Sequence, residues 1–269
     1  MHTGRSALVA VLTGALALGA FTAQPAQAVA ADTGIKVSNV VVNKGKPMVV
    51  GTTETKYPTF SYRVTWPAGY TISTASTSPF MYHGMTPAKA NETSNQLIQS
   101  DMFECFEDGP RAANCSGHLR IRPRENLDSA KDATTWKMSV IAFLERKNRL
   151  DHEYLTTPAT LQVKRAARAT VNASPEPVVK NKTITVTGKL TRADWAKRSY
   201  SAYGGKLAKL QFRKAGSSTY TTVKTVRANS SGNLKTTVKA TVDGYWRWTF
   251  GQTSTTGGAT SKDDYVDVK

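Results

Sequence analysis

Beyond residue 28 the chain holds three histidines, His83, His118 and His152, and none sits in a spacing with known chemistry. A zinc hydrolase places two histidines one helical turn apart in HExxH, and that pattern does not occur. A GxSxG nucleophile elbow and a phosphate-binding P-loop are also missing. A triad built from His118 or His152 would need distant partners that spacing cannot reveal. No catalytic residue is therefore assigned, and no enzyme activity is expected. Asp263, Asp264 and Asp267 form the one acidic cluster in a basic region. Carboxylate oxygens suit calcium, which takes about six or more of them. These three are the candidate metal ligands, and calcium is the one cofactor the residues point to. No EF-hand loop or glycine-rich repeat accompanies them, and the plainer reading is a solvated strand start. Asp194 could join them only if its loop folds back.

Cys105 and Cys115 are the only cysteines, with the turn signal Gly109-Pro110 between them. In an exported chain such a pair reads as one disulfide stapling a β-hairpin. If Cys105 sits opposite Cys115, the antiparallel register sets Ser100 opposite Arg120. Arg120, Arg122 and Arg124 in HLRIRPR alternate with Leu119 and Ile121, so an extended segment turns all three arginines outward as a basic stripe. Glu107 and Asp108 fall in the loop and leave the stripe unneutralised. The stripe could hold an anionic polymer, and the plainer reading is a solvated face; further candidates for binding a polyanion are Lys206, Lys209, Arg213 and Arg247. The densest aromatic run is DGYWRWTF, Asp243 to Phe250. It could be a platform that stacks on sugars. The alternation instead puts Trp246, Trp248 and Phe250 on one face and Tyr245, Arg247 and Thr249 on the other, which is what a half-buried strand requires. Core packing is expected, with Arg247 facing solvent.

These residues must be positioned by an exported fold. The opening MHTGRSALVAVLTGALALGAFTAQPAQA has a basic start at Arg5, an apolar run from Ala7 to Phe21 and an Ala26-Gln27-Ala28 cleavage pattern. It reads as a signal peptide, residues 1–28, with Ala30 as a second cleavage site. No other stretch is apolar enough to span a bilayer. The chain carries 36 Lys+Arg against 19 Asp+Glu, a formal +17. A boundary is visible in VKRAARATVNASPEP, with a linker expected at about Lys164 to Arg168. The halves 31–165 and 166–269 have net charges of +4 and +12, so the basic excess belongs to the C-terminal half.

Period-two patterning dominates both halves. In the N-terminal half FSYRVTW aligns Phe60, Tyr62, Val64 and Trp66. WKMSVIAFL aligns Trp136, Met138, Val140, Ala142 and Leu144, with Ile141 and Phe143 on the reverse, as in a strand buried on both sides. GIKVSNVVV and TPATLQV read as first and last strands, and no lasting helix is expected in TPAKANETSNQLIQSDMF. In the C-terminal half TITVTGKL, KLAKLQF, NLKTTVKA and DYVDV alternate cleanly. TYTTVKTVRA is less regular, which predicts a bulge or an edge. Asn229 to Asn233 reads as a hairpin turn, and DWAKRSYSAYGG as a loop. About seven strands in roughly a hundred residues is the count of an immunoglobulin-like sandwich. The fold class is all-β, two tandem immunoglobulin-like β-sandwiches, and a piece from about Thr170 to Lys269 is expected to fold alone.

TITVTGKLTRADW, YGGKLAKLQFRKAGSSTYTTVKTV, SSGNLKTTVKATVDGYWRWTF and DDYVDV resemble the C-terminal module of small secreted actinobacterial two-domain proteins. The likeness covers about Thr170 to Lys269, and more loosely GIKVSNVVVNKGKPMVVG. It implies a signal peptide, a variable β-domain and an immunoglobulin-like module. Some members are labelled calcium-binding, and no catalytic residues come with the resemblance. The expectation is a secreted, non-catalytic binding or structural protein at the cell envelope, held by anionic cell-wall polymers or acidic polysaccharides. Aromatics are too few among the cations for a nucleic-acid reader. The alternatives are a secreted enzyme or carbohydrate-binding accessory protein with its specificity in the N-terminal half, or a weak calcium binder. Oligomeric state is not legible.

Overall fold

The computed structural model describes residues 32–93 and 97–269. The expected signal peptide falls outside these residues. The chain is all-β, and two hydrophobic cores divide it.

The first core lies between strands β1 (Lys36–Val42), β2 (Met48–Val50), β3 (Thr59–Thr65), β4 (Ala75–Tyr82), β5 (Leu97–Glu107), β6 (Ala112–Leu119), β7 (Thr135–Arg146) and β8 (Arg149–Arg165). Their order is β1-β3-β6-β5-β4-β7-β8-β2. Strand β5 serves both layers. Its start, Leu97 to Gln99, pairs with β4, and Ser100 onward pairs with β6. A bulge between Ser100 and Phe103 makes that turn of direction, as an extra residue bends a strand. Phe60, Tyr62 and Val64 are buried in register on β3, with Trp66 buried just past its end, and Trp136, Met138, Val140, Ala142 and Leu144 on β7. The reverse of β7 is covered too. Ile141 and Phe143 join Phe80, Tyr82, Ala90 and Leu97 in a small second cluster. Ala90 comes from α1 (Pro87–Glu92), capped by the Thr86 hydroxyl. The sequence led to no lasting helix here. The six residues persist because Ala90 packs into that cluster.

The second core lies between two five-stranded sheets. One holds β9 (Ala167–Ala169), β10 (Asn172–Ser174), β11 (Thr183–Asp194), β12 (Ser199–Ala202) and β15 (Asn233–Lys239). The other holds β13 (Leu207–Lys214), β14 (Thr221–Arg227), β16 (Gly244–Phe250), β17 (Ala259–Thr260) and β18 (Asp264–Val266). Ile184, Val186 and Leu190 face Leu210, Trp246, Trp248 and Phe250 across the gap. Gly188 is required at their centre. A Cβ there would lie 2.6 Å from the Trp248 ring, whose indole N–H donates to the Thr187 carbonyl at 3.0 Å. β14 is an edge strand with a register shift against β13. Asn229 to Asn233 is not a hairpin turn. β14 pairs with β13 and β15 with β11, so the chain crosses there from one sheet to the other.

DWAKRSYSAYGG is not a loop. β11 runs on to Asp194, turns, and pairs with β12. The period is lost because the hairpin serves two cores at once. Ala193 and Trp195 are buried in the first core, while Tyr203 is buried in the second. The Trp195 indole N–H donates to the Gly51 carbonyl at 2.8 Å. Around it Ala166 N–H donates to Val50 O and Ala193 N–H to Ala166 O. Lys164 to Arg168 is strand on either side of Ala166 rather than loose chain.

The Cys105–Cys115 disulfide is present and joins facing residues of the β5–β6 hairpin. A Cys105→Ser/Cys115→Ser variant should unfold with roughly 2–3 kcal/mol less stability, since a short closed loop is released. Trp195→Ala should remove about 3–5 kcal/mol through the cavity it leaves. Because that cavity opens at the junction, denaturant unfolding followed by fluorescence should change from one transition to two. A single transition in the variant would show that Trp195 does not couple the cores.

Candidate functional site

Strand parity sorts the cations of the second sandwich onto two outer faces. On the sheet of β13, β14 and β16, the outward residues of β16 are Tyr245, Arg247 and Thr249. Opposite them on β13 stand Arg213, Gln211 and Lys209. Trp246, Trp248 and Phe250 point the other way, 4%, 0% and 6% exposed, so the aromatic run is core and not a sugar platform. The outward face carries a stack instead. The β13–β14 connection folds Tyr220 over the sheet, and the Arg247 guanidinium lies 3.4 Å from its ring centre. Arg213 sits 5.3 Å from the Tyr220 ring and 4.0 Å from that of Tyr245. Tyr265 on β18 packs against Tyr245.

These arginines are already engaged. Arg213 donates to the Ser217 carbonyl at 2.7 Å and pairs with Asp263 at 3.5 Å. Tyr220 first, and then Asp263, hold its guanidinium above the ordinary value against the opposing effect of burial. Arg247 Nε donates to Gln211 Oε1 at 2.8 Å. Lys209 is exposed on the same face, whereas Lys206 lies near the junction, 5.3 Å from the Tyr203 ring. The stack therefore joins Arg213 and Arg247 but not Lys206. Tyr220, Gln211 and Tyr265 were missed by the sequence reading, because the irregular period around Tyr220 hid the fold-back.

The opposite sheet presents a more open surface. On β15, Asn233, Lys235, Thr237 and Lys239 all face out. Their partners on β11 are Lys189, Thr187, Thr185 and Thr183. Lys224 reaches across from β14 to the Thr237 carbonyl at 2.9 Å. Beside this ladder runs a groove of about 410 Å³, lined by Thr170, Asn172, Thr187, Asn233 and Lys235 among others. Alternation in NLKTTVK and TITVTGK was the signal that marks this face.

In the first sandwich the expected stripe is not formed. Arg120 pairs with Asp101 at 2.6 Å and Arg122 with Glu125 at 2.7 Å, while Arg124 sits in a turn. The extended segment ends before Arg124. The β5 bulge also shifts the register, so Ser100 faces Leu119 rather than Arg120. Asp108 is drawn to Arg63. Arg63 and then Asn114 hold its carboxyl below the ordinary range. The outer face of β3, β6 and β5 does carry a second groove of about 410 Å³, lined by Thr59, Phe60, Met102, Phe103, Glu104, Ser116, Gly117 and His118. Met102 is 78% exposed at its rim.

The three candidate metal ligands are drawn to separate partners. Asp263 faces Arg213, Asp264 accepts the Ala173 N–H at 2.5 Å, and Asp267 pairs with Lys269 at 3.3 Å. Asp194 does not fold back to them. Its carboxylate accepts from Lys197 N–H and the Ser201 hydroxyl. Among the described residues no group of three His, Cys, Asp or Glu side chains could hold a metal ion. Also among them, no helix is long and apolar enough to cross a membrane.

No protein-family model and no curated protein matches the chain. Solved structures do. A chimeric titin Z1Z2 tandem is similar at 16% identity, over 83% of this chain and 95% of its own, with a TM-score of 0.28. A marsupial T cell receptor aligns at 8% identity over 87% and 73%, with a TM-score of 0.39. The D0-D1 domain of intimin aligns at 11% identity over 86% and 98%, with a TM-score of 0.26. At these identities and TM-scores the likenesses carry no argument of their own. The assignment of an immunoglobulin-like β-sandwich pair rests on the sheets and cores described above.

Tyr220→Ala removes both guanidinium–ring contacts and should cost about 1–2 kcal/mol, at about 0.5–1 kcal/mol for each exposed contact. Amide exchange in residues 215–220 should speed up with it. Unchanged exchange would show that the stack does not hold the loop.

Proposed function

We propose that this is a secreted, non-catalytic binding or structural protein that adheres to the cell envelope through its polycationic second sandwich. The partners are anionic cell-wall polymers or acidic polysaccharides. One observation carries the reading. Of the 18 Lys and Arg in residues 166–269, only Arg213 and Lys269 lie within 4 Å of a carboxylate among the described residues. In residues 32–165, seven of 17 do. The first sandwich satisfies much of its charge internally. The second leaves its charge to solvent, where it attracts polyanions over a Debye length of about 10 Å at 0.1 M salt.

The Lys189, Lys235 and Lys239 face is the favoured contact, since its cations are open and regularly placed. The guanidinium stack contributes less, because Arg213 is held by Asp263 and Ser217. Contacts of this kind release counterions and weaken with salt. Full-length mature protein should bind isolated cell walls at about 50 mM NaCl and elute as NaCl approaches about 500 mM, where the Debye length is a few ångströms. Lys→Glu changes at Lys189, Lys235 and Lys239 should lower the eluting salt stepwise, with no single residue essential. Binding that survives high salt and is competed by one free sugar would overturn this reading. It would move attention to the groove around Met102 and His118 in the first sandwich.

A further inference from the structure

Arg165 is the last residue of β8 and lies where the two sandwiches meet, only 9% exposed. Its backbone is satisfied, with its N–H donating to Thr255 O at 3.0 Å and its carbonyl accepting from Gly257 at 2.9 Å. One atom of its guanidinium is not. Nε–H is buried with no hydrogen-bond partner. No ion pair to a carboxylate compensates among the described residues. Burial first, and then neighbouring Arg192, push the group below its ordinary value, while Asp194 and Tyr203 act the other way. Asp194 does not resolve the conflict, because its carboxylate already accepts from Lys197 N–H at 3.2 Å and Ser201 Oγ at 3.0 Å.

Other groups converge on the same place. Arg192 lies 4.2 Å over the Tyr203 ring, and Lys206 is 5.3 Å from it. The Tyr203 hydroxyl meets Thr256 Oγ1 at 3.3 Å. Burial raises the Tyr203 phenol, yet the nearby hydroxyls of Thr256 and Thr253 and the charge of Arg192 bring it below its usual value. Thr253 Oγ1 is buried beside that phenol but makes no hydrogen bond of ordinary geometry. Its N–H donates to Thr256 O, in the same loop that closes over Arg165. Two of the four buried side-chain atoms without a partner among the described residues, Arg165 Nε and Thr253 Oγ1, therefore belong to one junction.

A buried cation beside a second cation is costly to hold when its nearest carboxylate, Asp194, is committed to Lys197 N–H and Ser201 and forms no ion pair with it. A bound anion removes the conflict. We infer that the junction of the two sandwiches binds one small tetrahedral oxyanion, phosphate or sulfate, between Arg165 and Arg192, with the Thr253 hydroxyl as a further donor. A tetrahedral ion suits donors arriving from three elements, β8, β11 and the 253–257 loop. A planar carboxylate offers only two acceptor atoms in one plane. The inference does not depend on the envelope reading, since none of Lys189, Lys235 and Lys239 takes part.

The test uses the full mature chain in thermal unfolding and in calorimetric titration. Inorganic phosphate or sulfate should raise Tm saturably by several degrees beyond NaCl of equal ionic strength, with one ion bound per chain. Arg165→Met should lose affinity for phosphate by about tenfold or more, the scale of a hydrogen bond to a charged group. The same variant should be more stable than wild type in phosphate- and sulfate-free buffer, because the unpaired charge is gone. Arg192→Met serves if that variant does not fold, with the same loss of affinity. Glycerol 1-phosphate distinguishes the source. Affinity equal to that of inorganic phosphate assigns a terminal phosphate ester, loss of affinity assigns the free ion, and either outcome carries the site. A Tm no higher in phosphate or sulfate than in matched NaCl would overturn the proposal. So would an undiminished phosphate response in the arginine variants.

Discussion

The burial of one tryptophan from the second sandwich in the core of the first governs the arrangement of the whole chain. Trp195 is 3% exposed among first-core residues, and its N–H is held by the Gly51 carbonyl. An indole buries a large apolar area and still needs a partner for its one donor. Both needs are met by residues of the other sandwich. The β11–β12 hairpin is thereby pinned, and with it the position of Arg192 on β11. Gly257 shows how close the approach is, because a Cβ there would come within 2.7 Å of the Val49 side chain.

Charge is distributed according to the same division. Among the described residues six acids of the first sandwich pair with Lys or Arg, Asp151 taking both Arg146 and Arg149. The second sandwich has only six acids to set against its cations, and several of those serve the fold. Asp264 caps a backbone N–H, and Asp243 accepts from Val268 N–H at 2.8 Å. Many of its cations, Lys189, Lys209, Lys235 and Lys239 among them, stand on outer sheet faces, where hydration makes them inexpensive. Among the described residues the basic ones that lie inside are Lys164 and Arg165 at the end of β8, and of these Lys164 reaches Gln252 Oε1 at 3.1 Å.

Alternation made the cores legible. Trp246, Trp248 and Phe250, and likewise Phe60 through Trp66, are buried where period two puts them. The cysteine pair was legible because a turn signal separated it. What escaped were features that depend on two segments distant in the chain. The β5 bulge moved Ser100 by one place, and nothing local in LIQSDMF announces it. Arg120 was read as free because its partner Asp101 lies on the neighbouring strand, within that bulge. Trp195 looked like a loop residue because its core belongs to the other half. Single-strand periodicity reports which face is buried, not what covers it.

The lysine face has a geometry of its own. Side chains on one face of a strand recur about every 6.6 Å, twice the rise of about 3.3 Å per residue. Lys239 and Lys235 are two such steps apart on β15, and Lys189 stands one further step on, beside Asn233 on the adjoining strand. The three ammonium groups form a short comb about 20 Å long, with a pitch set by the backbone. Thr237 and its partner Thr185 offer hydroxyls at the one tooth between Lys239 and Lys235. A flexible polymer can fit its charges to such a comb, whereas a stiff one must match its pitch. For the proposed polyanion partner, charge spacing along the polymer would then be a ground for selection separate from the identity of its acidic group.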